Sequence, residues 1–137
     1  MDFTGKVVVI TGASSGIGEA LVYAFADRGA KVVMGARNSA KLAEIAAQLF
    51  TRGIESAFEA TDVTREEDCK RLIDKALSAF GRIDILICNA GISMRALFDD
   101  VQLDVLRQLM DVNFWGTVYC AKYALPALQA AKGTLVG

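Results

Sequence analysis

The stretch Lys6–Gly18, KVVVITGASSGIG, constrains the fold more than any other part of the chain. Its first half, Lys6 to Ile10, is a β-branched run bounded by glycines, the pattern of a strand covered on both faces. Gly12, Gly16 and Gly18 follow with the spacing GxxxGxG. Then comes EALVYAFADRG, where Leu21 and Phe25 recur at helical spacing and Gly29 supplies a C-terminal stop. Strand, glycine turn and helix together open a βαβ unit, and each glycine has its own duty there. Gly12 allows the turn out of the strand, Gly16 allows close approach of backbone to a diphosphate, and Gly18 lets the helix pack on the sheet. The start of the helix offers unpaired N–H groups and partial positive charge, and Ser14 and Ser15 add hydroxyl donors. Taken alone, an ordinary glycine-rich βα turn has the same appearance. A P-loop is excluded, because no Gly-Lys-Ser/Thr follows.

The alternation continues. AKVVMGA reads as a second strand, Asn38 or Ser39 as the cap of the helix AKLAEIAAQLFTRG, and Gly53 as its stop. IESAFEATDV alternates, with Glu55 and Glu59 opposite Ile54 and Phe58, as an edge strand does. Thr64 and Glu67 have capping-box spacing before the helix EEDCKRLIDKALSAFG. RIDILICNAG is a continuous apolar strand, a long helical stretch runs from about Leu103 to Lys132, and TLV is a fifth strand with the look of a buried one. The expected fold is α/β: a Rossmann-like doubly wound parallel sheet with strand order 3-2-1-4-5, ending at the fifth strand. A length of 137 residues without repeats or linkers leaves room for one domain, residues 1–137.

Composition narrows the function. Fifteen basic and 16 acidic residues are spread along the chain, so no patch invites nucleic acid. There is no histidine, which removes the commonest general base and metal ligand. Cys69, Cys88 and Cys120 lack metal spacing and read as reduced core residues of a cytoplasmic protein, so no metal site is expected. The N-terminus has no signal-peptide pattern. Val112–Ala131 approaches membrane length but carries Lys122 and Pro126, and reads as a buried helix with no membrane role.

Four motifs in order, TGASSGIG, the TDV of Thr61–Val63, the NAG of Asn89–Gly91 and DVNFWG around Asn113, followed by GTLV, are similar to those of the short-chain dehydrogenase/reductase family. The resemblance covers the whole chain. It implies that Gly12, Ser14, Ser15, Gly16, Ile17 and Gly18 cradle the diphosphate of a nicotinamide dinucleotide. It also implies that Asp62 and Val63 hold the adenine, and that Asn89, Ala90 and Gly91 line the nicotinamide side. Each of these, taken singly, is also a plain strand end or turn.

The end of the second strand bears on the choice of dinucleotide. Ala36 stands where an NAD-binding domain has an acidic residue for the ribose 2′-hydroxyl, and Arg37 follows. A guanidinium hydrogen-bonds a 2′-phosphate with charge assistance, about 1.5–3 kcal/mol each. NADP(H) is therefore expected over NAD(H), against the bland reading of Arg37 as a solvated loop cation.

The family's catalytic tyrosine, its lysine four residues on, and its serine have no counterparts: Tyr23 precedes Asp27 at that spacing, Tyr119 precedes Tyr123, and Tyr123 precedes Ala127. Of the family's catalytic set only Asn113 matches. The resemblance gives it the part of interrupting the helix and holding a water in a proton relay; a satisfied buried asparagine is the other reading. Residues 1–137 are thus expected to be the cofactor-binding portion of an NADP(H)-dependent carbonyl/alcohol oxidoreductase, inactive alone, as a truncated or proteolysed piece of a longer chain. The competing readings are a non-catalytic dinucleotide-binding module and, less well matched, a Rossmann methyltransferase. The nearly all-apolar Val112–Ala131 and an open edge on the fifth strand lead to the expectation of a homo-oligomer.

Overall fold

The structure, a computed structural model, describes all residues from Met1 to Gly137. Strands and helices alternate as β1 (Val7–Thr11), α1 (Gly16–Ala26), β2 (Lys31–Ala36), α2 (Ser39–Thr51), β3 (Ser56–Ala60), α3 (Glu66–Phe80), β4 (Ile85–Ile87), α4 (Leu103–Met110), a π-helical turn (Asp111–Trp115), α5 (Gly116–Ala131) and β5 (Thr134–Val136). The sheet is parallel throughout, in the expected order β3-β2-β1-β4-β5.

All five residues of β1 are buried, which is why the run KVVVI shows no polar alternation. Because successive side chains of a strand point to opposite faces, the one run feeds two cores. Val7 and Val9, with Val33 and Leu86, pack against Leu72, Ile73 and Ala76 of α3 and Cys120, Ala124 and Leu128 of α5. Val8 and Ile10, with Val32 and Met34, pack against Val22 and Ala26 of α1 and Leu42, Ile45 and Leu49 of α2. At the amino end of the sheet Asp84 is buried and clamps β1 to the chain entering β4. Its Oδ2 accepts the Val7 N–H at 2.9 Å and Arg82 Nε–H at 2.9 Å, and its Oδ1 accepts from the second guanidinium nitrogen at 2.6 Å.

Three local expectations change. Asn38 is the cap of α2, its Oδ1 accepting the Lys41 N–H at 3.1 Å, but the Thr64–Glu67 capping box does not form. The Thr64 hydroxyl donates instead to Asp62 Oδ1 at 2.7 Å, and Arg65 takes the cap position with no side-chain capping hydrogen bond. The long helix is interrupted where Asn113 stands, as the resemblance implies, but Val112–Ala131 is not buried all round. Within α5 only Gly116, Cys120, Ala124 and Leu128, one stripe at i, i+4 spacing, are covered, while Leu125 is 50% exposed. The stripe is all that α3 and the sheet can cover from one side. β5 likewise pairs with β4 alone and its three residues are exposed, so it is an edge strand and not a buried one. Cys69 and Cys120 are buried free thiols and Cys88 is half-buried. No helix is long and apolar enough to cross a membrane.

Candidate functional site

Ligands of open α/β sheets bind beyond the carboxyl ends of the strands, where the strand order reverses. β1 is that point here, with β2 on one side and β4 on the other. A cleft of about 910 Å³ opens there. It is walled by Gly12, Ser14 and Ser15 after β1, by Ala36, Arg37 and Asn38 at the end of β2, and by Thr61–Thr64 after β3. Asn89–Ile92 follow β4 into it, and Gln108, Asp111 and Val112 close it from α4 and the π-turn.

The glycines divide their work as the spacing suggests. Gly18 has ordinary helical φ, but a Cβ there would lie 2.0 Å from Gly12 O, so α1 can meet the turn only without a side chain. Gly16 has φ +55° and nothing within 4 Å of a would-be Cβ, leaving open space in front of the first N–H groups of α1. The turns after β1 and β4 are tied together. Thr11 Oγ1 accepts the Ala90 N–H at 3.0 Å, and Asn89 Nδ2 donates to Gly12 O at 3.3 Å.

Arg37 is exposed on the cleft wall and takes part in none of the protein's salt bridges. Opposite it, burial pushes the Asp62 carboxyl up. The Thr64 hydroxyl and N–H that donate to it, with the nearby Arg37 and Arg65 charges, outweigh burial and hold it below the usual carboxylate range. Asp62 therefore stays ionised at neutral pH. The N–H of Val63 meets no acceptor although the residue is buried, an unusual state for a backbone donor.

Asn113 stands behind the wall. Its Nδ2 donates to Ile92 O at 2.8 Å and its Oδ1 accepts the Ile92 N–H at 2.9 Å, so the amide is occupied with backbone. The π-turn is the local reason for its placement: one extra residue in the helical turn rotates Asn113 toward the chain leaving β4.

Residues 6–137 match the family described as short chain dehydrogenase. The chain belongs to that family. It is 43% identical over 98% of its length to the 11-beta-hydroxysteroid dehydrogenase A of Sesamum indicum, and spans 39% of that protein. The 11-beta-hydroxysteroid dehydrogenase-like 2 of Arabidopsis thaliana is 43% identical over 97% of the chain, which spans 44% of it. Among solved structures, an alcohol dehydrogenase from the archaeon Thermococcus sibiricus complexed with 5-hydroxy-NADP superposes with TM-score 0.92 at 33% identity. That match covers 95% of this chain and 56% of that one. A short-chain type dehydrogenase/reductase from Mycobacterium marinum gives TM-score 0.91 at 34% identity over 98% and 55% of the two chains.

Of the residues singled out in the sequence, Gly12, Ser14, Ser15, Arg37, Asp62, Val63, Asn89, Ala90 and Gly91 share the cleft of this short-chain dehydrogenase chain. Gly16, Ile17, Gly18 and Asn113 are outside its walls. Gly18 is buried under the turn and Ile17 is 74% exposed at the head of α1. Thr11, Asn38, Thr61, Thr64, Ile92, Gln108, Asp111 and Val112 went unmarked as site residues in the sequence. Thr11 could have been found from its place before Gly12. Asp111 could have been found as the first residue of DVNFWG, whereas Gln108 carries no local signal and comes to the cleft only through the fold.

Proposed function

We propose that residues 1–137 bind a nicotinamide dinucleotide in this cleft, NADP(H) in preference to NAD(H), as the cofactor-binding portion of an oxidoreductase that interconverts a carbonyl and an alcohol. The observation that carries the reading is the pairing of an unpartnered Arg37 with Ala36 at the end of β2, in a cleft that also opens onto the glycine turn. An acid at position 36 would repel a 2′-phosphate; a free guanidinium attracts one.

The donor set fits the group. The open space at Gly16 and the N–H groups of α1 suit a diphosphate, which would also meet the hydroxyls of Ser14 and Ser15. The free Val63 N–H and the ionised Asp62 carboxylate offer one donor and one acceptor to an adenine edge. Asn89–Gly91, pinned to β1 by the Thr11 and Gly12 bonds, would line the nicotinamide side. When bound, the dinucleotide supplies or accepts a hydride. Asn113 would hold Ile92 beside that end and keep the wall in place.

Residues 1–137 contain no Tyr-x-x-x-Lys, so the proton partner of hydride transfer is not among them; loss of general acid catalysis costs about 10²–10⁴ in rate. These residues alone would bind and not turn over. A cytoplasmic setting, and association of copies through the exposed apolar face around Phe114, Trp115 and Leu125, belong to the same proposal. The relatives named for hydroxysteroids make a hydrophobic alcohol or ketone the first substrate class to try on the longer protein. Calorimetric titration of the folded chain with NADP⁺ and NAD⁺ tests the reading. Tighter NADP⁺ binding by about ten- to a hundredfold is expected, and no binding of either to a folded chain would sink it.

A further inference from the structure

We propose that Asp68, in the first turn of α3, is a positioning residue for the cleft, holding the Asp62–Thr64 turn in the shape that receives the adenine end of a dinucleotide. The idea rests on the dinucleotide reading above. Asp68 is only 8% exposed, and carboxylates are rarely that buried unless paired. Its Oδ2 accepts the Asp62 N–H at 3.0 Å; its Oδ1 is bound to Arg71 and lies 3.9 Å from Arg65 Nε. The next residue, Cys69, donates its thiol to Val63 O at 3.5 Å. Two consecutive residues of the helix thus hold two consecutive residues of the turn.

The consequence lies at the cleft. Asp62 Oδ1 is spent within the turn on Thr64, the Asp62 N–H is spent on Asp68, and the Val63 carbonyl is spent on Cys69. What this leaves free at the cleft wall is the Val63 N–H as donor and the second Asp62 carboxylate oxygen, Oδ2, as acceptor. Without the Asp68 anchor the Asp62 N–H would lose its partner, the turn could rotate, and the Val63 donor would no longer hold a defined direction. The competing account is that an acidic residue in the first turn merely complements the helix dipole. Glu66 and Glu67 already do so from exposed positions, whereas Asp68 alone is turned inward onto the loop.

Three variants of the chain decide it, read by the affinity for 2′,5′-ADP, the part of NADP⁺ that carries adenine, and by hydrogen exchange at the Asp62 amide. Asp68→Ala is expected to weaken 2′,5′-ADP binding about tenfold and to speed Asp62 exchange by a similar factor, since it strands a buried donor. Asp68→Asn keeps an oxygen for that donor and is expected to restore both to within about threefold. Asp68→Glu keeps the charge but displaces the oxygen by one methylene; it is expected to lose affinity, and it serves should Asp68→Ala not fold. Unchanged affinity and exchange in Asp68→Ala or Asp68→Glu would overturn the proposal. So would Asp68→Asn as weak as Asp68→Ala, which would assign the effect to the arginine pairs. A wild-type chain that bound no 2′,5′-ADP would instead refute the dinucleotide reading, and exchange at Asp62 would still report whether Asp68 holds the turn.

Discussion

Asn113 grips Ile92 by both of its backbone groups, at 2.8 Å and 2.9 Å, across 21 residues of chain. Neither bond belongs to a helix or a strand, so the segment leaving β4 takes its position from a side chain. Asn113→Ala removes both. At an exposed site each bond is worth about 0.5 kcal/mol, the low end for a net hydrogen bond, so urea unfolding should show a loss near 1 kcal/mol. Dinucleotide affinity should fall as well, because Gly91 and Ile92 line the cleft.

The two glycines at the head of α1 should respond differently. Gly18→Ala puts a Cβ 2.0 Å from Gly12 O, a backbone atom in a tight turn that cannot yield without moving α1. Overpacking of this kind costs about 3 kcal/mol or more, and circular dichroism melts should show a large drop or no fold. Gly16→Ala meets no atom but carries the strain of φ +55°, about 1–2 kcal/mol. It should fold, melt a few degrees lower and bind dinucleotide weakly, since its methyl enters the space offered to the diphosphate.

Arg37→Ala should leave unfolding unchanged, as the side chain is exposed and without an ion pair. Binding of NADP⁺ should weaken by about ten- to a hundredfold while NAD⁺ changes little. Equal losses for the two would remove the basis for the preference.

Asp84 gives a pH signature. Burial pushes its carboxyl up, but the Arg82 guanidinium, the Val7 N–H and the Lys6 charge pull harder, so its folded pKa lies below the ordinary 3.8. A folded pKa lowered in this way stabilises the protein above the unfolded value, and that stability is lost as pH falls through the folded one. Urea midpoints of wild type and Asp84→Asn, taken from pH 7 downward, should therefore be furthest apart near neutrality and converge below about pH 4. A gap that widened in acid would contradict the clamp.

Much of this was legible beforehand, for reasons that can be named. The strand order follows from run lengths: KVVVI must be covered on both faces, and ESAFEA, with Glu55 and Glu59 on one face, can sit at an edge. The glycine turn was legible because steric demands at Gly12 and Gly18 admit one residue type. The capping box failed because Thr64 had a closer partner in Asp62, a competition between two local bonds that spacing alone cannot rank. The long helix was overestimated as buried because apolar content shows what a surface could bury, not what is present to bury it.

Sequence by itself determined the layered α/β fold, the glycine turn after β1 and the residue at the end of β2, because each depends on neighbours a few positions apart. Tertiary structure decided which groups meet at the cleft: Gln108 and Asp111 in the same walls as Asp62, Asn113 on Ile92, and Asp68 beneath the Asp62–Thr64 turn. Those pairings depend on how α3 and α5 pack on the sheet, with the π-turn and α4 carried to the strand ends by α5. Packing of whole helices sets that, and no periodicity within a single segment encodes it.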